Sequence, residues 1–350
     1  MKSIKYFLSA LICCTFISCV GEPCYKMRGI VLFESELTSV DWPKLAYENG
    51  INTIGVGISP GGVINFMQSE KGKQFFADCR KYGIDVEYQI HAMNELLPRN
   101  LFAEDSTLFR MDKTGHRVSH SNLCVHSEKA LDIVAGNALE FARRQPSTNH
   151  RYYFWIDDTE PMCLCPHCIG YSASEQALII ENRMVKALRT IDPEAQVAHL
   201  AYLNTLSAPR KVKPEEGVFL EYAPIERSWA HPLSNAQASN PKPYGTKHRQ
   251  IPHQEVMQTL KDNLAVFPAE TAVILEYWLD VSLFSRWREP HVKLAWDKAI
   301  FDSDLDTYAE LGIRNVTSFG VYIDGQYIKE HNDLRFLKEY GMGMKNYKRK

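Results

Sequence analysis

Three places in the chain share one local grammar. Glu48-Asn49-Gly50-Ile51, Lys81-Tyr82-Gly83-Ile84 and Glu310-Leu311-Gly312-Ile313 each end a helical pattern on glycine and pass straight into an apolar run. Glycine takes the left-handed conformation that stops a helix without a Cβ penalty, so these are helix-to-strand returns of minimal length. A chain that turns back this quickly and repeatedly is built from strand-helix units.

Eight apolar segments satisfy that reading as strands: Arg28–Phe33, Asn52–Ile58, Asp85–His91, Tyr152–Asp158, Gln196–Leu203, Gly217–Tyr222, Thr271–Trp278 and Asn315–Ile323. Most run continuously apolar, as parallel strands covered on both faces do. Helical periodicity is clearest over Lys71–Tyr82, Glu128–Arg144, Glu175–Ile191, His253–Val266 and His291–Leu311. Eight alternations without a Gly-x-Gly-x-x-Gly turn after the first strand predict an α/β fold of the (β/α)8 TIM barrel type rather than a doubly wound sheet. No repeat, low-complexity tract or linker divides the chain, so residues 28–345 are expected to form a single domain. The segments Ala92–Cys124, Ala223–Pro252 and Leu279–Pro290, after strands three, six and seven, are long. That is the side on which barrels build their sites.

The N-terminus carries Lys2 and Lys5, then an apolar run from Tyr6 to Ile17, then Ser18 and Cys19. This is the layout of a secretory signal peptide, and the run is too short to span a bilayer. The small residue before cysteine resembles a bacterial lipobox, which implies cleavage after residue 18, acylation of Cys19, a tether over residues 19–27, and an exported protein anchored in the periplasm or at the outer membrane. An ordinary signal peptide or an uncleaved anchor is the other reading. Loss of residues 1–18 leaves 38 basic residues against 42 acidic, a formal charge of −4, which offers nucleic acid no footprint.

Five strands stop on an acid: Glu34, the pair Asp157 and Asp158, Glu221, Glu276 and Asp324. In a parallel barrel these ends share one face. A single such acid reads more simply as a helix cap or an arginine partner, and it is their convergence that points to chemistry. Trp155, Tyr222, Trp229, Tyr277, Trp278, Trp287 and Tyr322 lie at the same ends and loops, and flat rings beside carboxylates suit sugars. Glycoside hydrolysis needs two carboxyl groups about one bond. Retaining barrels commonly place them after strands four and seven, which selects Asp157 or Asp158 as acid and Glu276 as nucleophile or base. Glu160 and Glu221 are the alternatives. Glu34, His91, Tyr202, Arg227, Tyr277, Trp278 and Asp324 are expected to bind substrate, with Arg227 suited to the carboxylate of an acidic sugar.

Cys163, Cys165 and Cys168 follow the strand-four acids directly. Three thiols so close resemble half of a zinc knuckle, with Cys124 or His167 as the fourth ligand, while an exported protein could equally use them, with Cys124, in a disulfide. No cofactor is required for the carboxylate chemistry. A structural zinc at this cluster, a disulfide and free buried thiols are the three readings; a catalytic zinc lacks its usual histidine motifs.

The stretch Leu123-Cys124, His126, Glu128 and the helix to Arg144, then Phe154 to Asp158, Cys163, Cys165 and Cys168, Asn182, Ala201-Tyr202 and Pro209, resembles the family named domain of unknown function 4838. The likeness is clear over Asn122–Glu226 and continues more weakly through Glu276–Asp280 and Thr317–Phe319. It implies a glycosidase-like barrel related to α-glucuronidases and hexosaminidases, found in lipoproteins of glycan-degrading gut bacteria. The expectation is a glycoside hydrolase with a carbohydrate substrate. Two rivals are a tethered carbohydrate-binding barrel without catalysis and a metal-dependent hydrolase using the cysteines.

Overall fold

The protein is described by a computed structural model covering residues 24–158, 160–242, 248–289 and 291–348. The signal segment 1–18 and Cys19 lie outside the described residues. Eight parallel strands close into a barrel in chain order: β1 (Met27–Leu32), β2 (Thr53–Val56), β3 (Asp85–His91), β4 (Arg151–Trp155), β5 (Gln196–Ala201), β6 (Val218–Tyr222), β7 (Val273–Glu276) and β8 (Asn315–Phe319). Closure is made where β1 pairs with β8, Gly29 opposite Thr317. The expected (β/α)8 architecture is the one observed.

Residues 24–26, expected as tether, belong to the barrel. Tyr25 is fully buried and its hydroxyl donates to the Leu305 carbonyl. The glycine returns hold as read: Gly50, Gly83 and Gly312 sit at φ +80°, +64° and +81°. Strand ends were read too long. β4 stops at Trp155, β7 at Glu276 and β8 at Phe319, so Asp157, Asp158 and Asp324 stand on loops beyond the sheet.

The helix read from His291 begins only at Lys298, where the Asp297 carboxylate accepts from the amides of Ala299 and Ile300. The other long helices are close to expectation. Ser127 caps Glu128–Arg144, and a reciprocal Ser172–Glu175 capping box opens Ala173–Leu188. The helix Trp42–Glu48 is the one read as ending before Gly50, whereas the helices at Glu34–Ser39 and Pro60–Gln68 went unread because they are short.

Burial divides the core into two shells. Ile30, Ile54, Tyr152, Leu220, Ile274 and Val316 face outward beneath the helices, whereas Met27, Val31, Tyr153, Phe219, Val273 and Leu275 face the barrel axis. Side chains alternate along a strand, so each residue belongs to one shell by parity alone. The axial shell is partly polar: buried Glu87 accepts from Asn149 at 2.6 Å and from Gln89 at 3.2 Å, and the Arg151 guanidinium lies 5.0 Å above the Phe219 ring. Among the described residues no helix is long and apolar enough to cross a membrane.

Candidate functional site

The C-terminal ends of the strands open on a cavity of about 590 Å3. Its walls are aromatic: Phe33 after β1, Trp155 at the end of β4, Tyr202 after β5, Tyr277 after β7, Phe319 at the end of β8, and Trp287 and Tyr322 from the loops. His91 and His248 complete the rim. These rings are held in place from behind. Trp155 donates from Nε1 to Glu221 Oε2 at 2.6 Å, His91 Nδ1 is 2.6 Å from the Ile156 carbonyl oxygen, and the Tyr277 and Phe319 rings are 5.3 Å apart. Glu36, with no exposed surface, accepts at 2.8 Å from the amides of both Phe33 and Tyr322 and so fastens the first strand's end to the eighth's.

Trp287 and Tyr322, at φ +55° and +70°, occupy backbone that bulky residues avoid. Strain of this kind, about 1–3 kcal/mol per residue, gathers where a site is shaped by its surroundings.

Two carboxyl groups line the cavity among the described residues, Asp158 and Asp280. Asp158 is exposed on the loop after β4. Asp280 is 5 % exposed and caps the short helix Val281–Phe284, its Oδ1 accepting from Ser282 Oγ at 2.5 Å and from the Leu283 amide at 3.1 Å. Burial pushes the Asp280 carboxyl up to about 6, against the pull of those hydrogen bonds. Tyr202 and Tyr277 line the same cavity and feel both acids. Burial raises both phenols, and the negative charges of Asp158 and Asp280 raise each further.

Of the residues singled out in the sequence, Asp158, His91, Tyr202 and Tyr277 meet in this cavity, together with the aromatics Trp155, Trp287 and Tyr322. Others do not, and the reason is parity. Glu276 lies between inward Leu275 and inward Tyr277, so its side chain points out beneath the helices. There, with no exposed surface, it pairs with Arg227 at 2.9 Å and accepts from the Tyr308 hydroxyl. Arg227 is equally buried and binds Asp304 at 2.7 Å with its other nitrogen, so it cannot reach a substrate carboxylate. Trp278 also faces outward and donates to Asp304 at 3.1 Å. The nucleophile and two binding residues read from the sequence are therefore one structural network, and Tyr222 is likewise turned outward, donating to the Val256 carbonyl at 2.7 Å.

The remaining corrections have local causes. Glu221 points along the axis but sits fully buried below the cavity, where burial raises its carboxyl well above the usual range and Trp155 covers it. Asp157 is held by Arg99 at 2.6 Å and by the Asn122 amide at 2.5 Å, bracing the loop rather than facing the cavity. Glu160 does not line the cavity, and its carbonyl is held by the side chains of Asn122 and Asn204. Glu34 is exposed in the first turn of Glu34–Ser39. Asp324 caps Gly325–His331, accepting from the amides of Gln326 and Tyr327. The acid missed is Asp280, which the sequence marks as a helix cap and as the last residue of the weaker family likeness over Glu276–Asp280, neither of which singles it out as catalytic. No arginine or lysine lines the cavity among the described residues.

Cys124, Cys163, Cys165 and Cys168 converge behind the loop that carries Asp157 and Asp158, all buried, with their sulfurs within 4.8 Å of one another.

A family model described as domain of unknown function (DUF4838) matches residues 62–344. Among curated proteins, none matches the chain. Solved structures resemble it in fold. A GH5-4 broad specificity endoglucanase from an uncultured bacterium superposes with a TM-score of 0.51 at 10% identity, covering 90% of this chain and 86% of that one. A mutated endo-beta-1,4-glucanase from Xanthomonas axonopodis pv. citri gives 0.47 at 10% identity over 93% and 98%. The catalytic domain of a beta-amylase from Paenibacillus polymyxa gives 0.48 at 10% identity over 91% and 99%.

Proposed function

We propose, from the premise that the chain belongs to the family of domain of unknown function 4838, that its barrel mouth binds a glycan and hydrolyses a glycosidic bond between Asp280 and Asp158. The observation that carries the reading is that a buried acid, Asp280, and an exposed one, Asp158, line the same aromatic cavity. The barrel is of the kind glycoside hydrolases use, and fold alone does not assign a reaction.

Asp280, protonated up to about pH 6 by its burial, is the proton donor. The glycosidic C–O bond breaks as its proton passes to the departing oxygen. Water supplies the hydroxyl at the anomeric carbon and leaves its proton on Asp158, the acid open to solvent. Trp155, Tyr277, Trp287 and Tyr322 offer faces for the C–H surfaces of sugar rings. With Arg227 withdrawn into the helical layer, a neutral sugar suits the cavity better than a uronic acid.

The test is release of sugar from a panel of polysaccharides and aryl glycosides by the wild-type chain and by Asp158→Asn and Asp280→Asn. Hydrolysis lost in both variants, with glycan binding retained in calorimetry, supports the assignment. Hydrolysis unchanged in either removes that residue from the reaction.

A second reading, a carbohydrate-binding barrel without catalysis, is favoured by the sequestration of Glu221 and Glu276, the strand-end glutamates, away from the cavity. Binding without turnover in the wild-type chain would select it. We further propose that the barrel is exported and tethered by acylation of Cys19; incorporation of labelled palmitate, abolished in Cys19→Ala, is the expected result.

A further inference from the structure

The cysteine cluster is drawn from two segments distant in sequence. Cys124 follows the long excursion after β3, and Cys163, Cys165 and Cys168 come from the loop after β4. The sulfur of Cys124 is 3.8 Å from that of Cys165 and 3.8 Å from that of Cys168. A tetrahedron of thiolates around zinc, with Zn–S bonds of about 2.3 Å, has edges of about 3.8 Å. A disulfide needs its sulfurs at about 2.0 Å.

The surroundings suit a tetrathiolate. Four thiolates around a divalent cation carry a net charge of −2, which must be offset in a buried site. Arg117 Nη1 lies 3.7 Å from Cys163 Sγ, and the Met111 amide donates to the same sulfur at 3.3 Å. His126 Nδ1 is 3.4 Å from Cys168 Sγ. The loop is shaped from behind by Gln176, whose Oε1 accepts from the Cys163 amide at 3.1 Å while its Nε2 donates to the carbonyls of Cys163 and Cys168 at 3.1 and 3.3 Å. This buried side chain thus holds both ends of the short turn that carries the three cysteines.

We propose that Cys124, Cys163, Cys165 and Cys168 bind one zinc(II) ion as a closed structural site that joins the loop after β3 to the loop after β4. Four S–H bonds lose their protons to solvent and four Zn–S bonds form, with no change of oxidation state. The site is coordinatively full and takes no part in bond cleavage. Its consequence is positional. Asn122, two residues before Cys124, donates from its amide to Asp157 at 2.5 Å and accepts from the Asp157 amide at 3.0 Å, so the metal anchors the segment from which Asp158 projects. This inference is independent of the glycosidase reading.

The experiment is metal analysis of the full chain purified with and without reductant from zinc-supplemented cells. One zinc per chain is expected, released by a mercurial and replaceable by cobalt(II), which then shows the intense visible bands of tetrahedral sulfur coordination. Cys165→Ser and Cys168→Ser should each lose the zinc. If those variants fail to fold, the cobalt spectrum of the wild-type chain decides alone. Iron in place of zinc, or an intact mass short of two or four hydrogens in a metal-free chain that reduction does not make competent to bind zinc, would overturn the proposal.

Discussion

Arg227 and Glu276 form an ion pair of 2.9 Å in which neither side chain has any exposed surface. Asp304 takes the second arm of the guanidinium at 2.7 Å, so one cation serves two carboxylates. Removing the cation strands two buried carboxyl groups without their shared partner. Arg227→Met is expected to destabilise the fold by about 3–5 kcal/mol, measured as a fall in the urea midpoint at unchanged slope. Glu276→Gln leaves Arg227 paired with Asp304 and should cost less. It should also leave turnover per folded molecule intact, and a loss of turnover without a loss of stability would return Glu276 to the reaction.

Asp280→Asn and Asp158→Asn should each lower turnover by about 10²–10⁴-fold, the usual contribution of a positioned acid or base. The pH profiles should separate their roles. Because burial raises Asp280 from 3.8 to about 6, the fold favours its protonated form. Activity that needs this proton falls as pH rises through about 6. The same group's contribution to stability is fully present below 3.8 and is lost as pH rises through about 6, so Asp280→Asn should flatten the decline of the denaturation midpoint across that window. An unchanged pH dependence of both quantities would contradict the role given to Asp280.

Trp155→Phe tests whether Glu221 acts through the indole. It keeps a ring in the cavity wall and removes the donor to Glu221 Oε2, whose companion Oε1 has no hydrogen-bond partner among the described residues. A buried acceptor left unpaired costs about 1–3 kcal/mol. Glycan affinity should fall as the ring loses its anchor, and Trp155→Phe combined with Glu221→Leu should recover stability without recovering affinity. Calorimetric titration alongside urea denaturation distinguishes the two effects.

Gly83→Ala isolates the helix return. No atom lies within 4 Å of a Cβ built there, and the residue sits at φ +64°, so the substitution meets conformational strain alone. A loss of about 1–2 kcal/mol is expected, with glycan binding unaffected because the return lies at the opposite end of the barrel from the cavity.

The barrel and the approximate order of its strands are legible in the sequence because their signals are local. Gly50, Gly83 and Gly312 obey backbone sterics at their own positions, and the apolar runs announce strands buried on both faces. The cysteine set was legible for a similar reason: three of its members are close in sequence. The site was legible only in part. Asp158, His91, Tyr202 and Tyr277 were recognisable as polar or aromatic groups at strand ends, whereas Asp280 carried the mark of a helix cap and a place in the weaker family likeness, neither of which points to chemistry.

What the amino-acid sequence determined by itself was the alternation of elements and hence the class of fold, together with the face on which a site would stand. Only the tertiary structure decided which shell each strand-end side chain entered. A strand apolar on both faces carries no alternation from which its parity can be read. Closure of the barrel settles that parity, because it assigns Leu275 and Tyr277 to the axis and Glu276 and Trp278 to the helical layer. That single alternation sends Glu276 to Arg227, whereas Asp280 lies beyond the end of the strand and reaches the cavity as the cap of the helix Val281–Phe284.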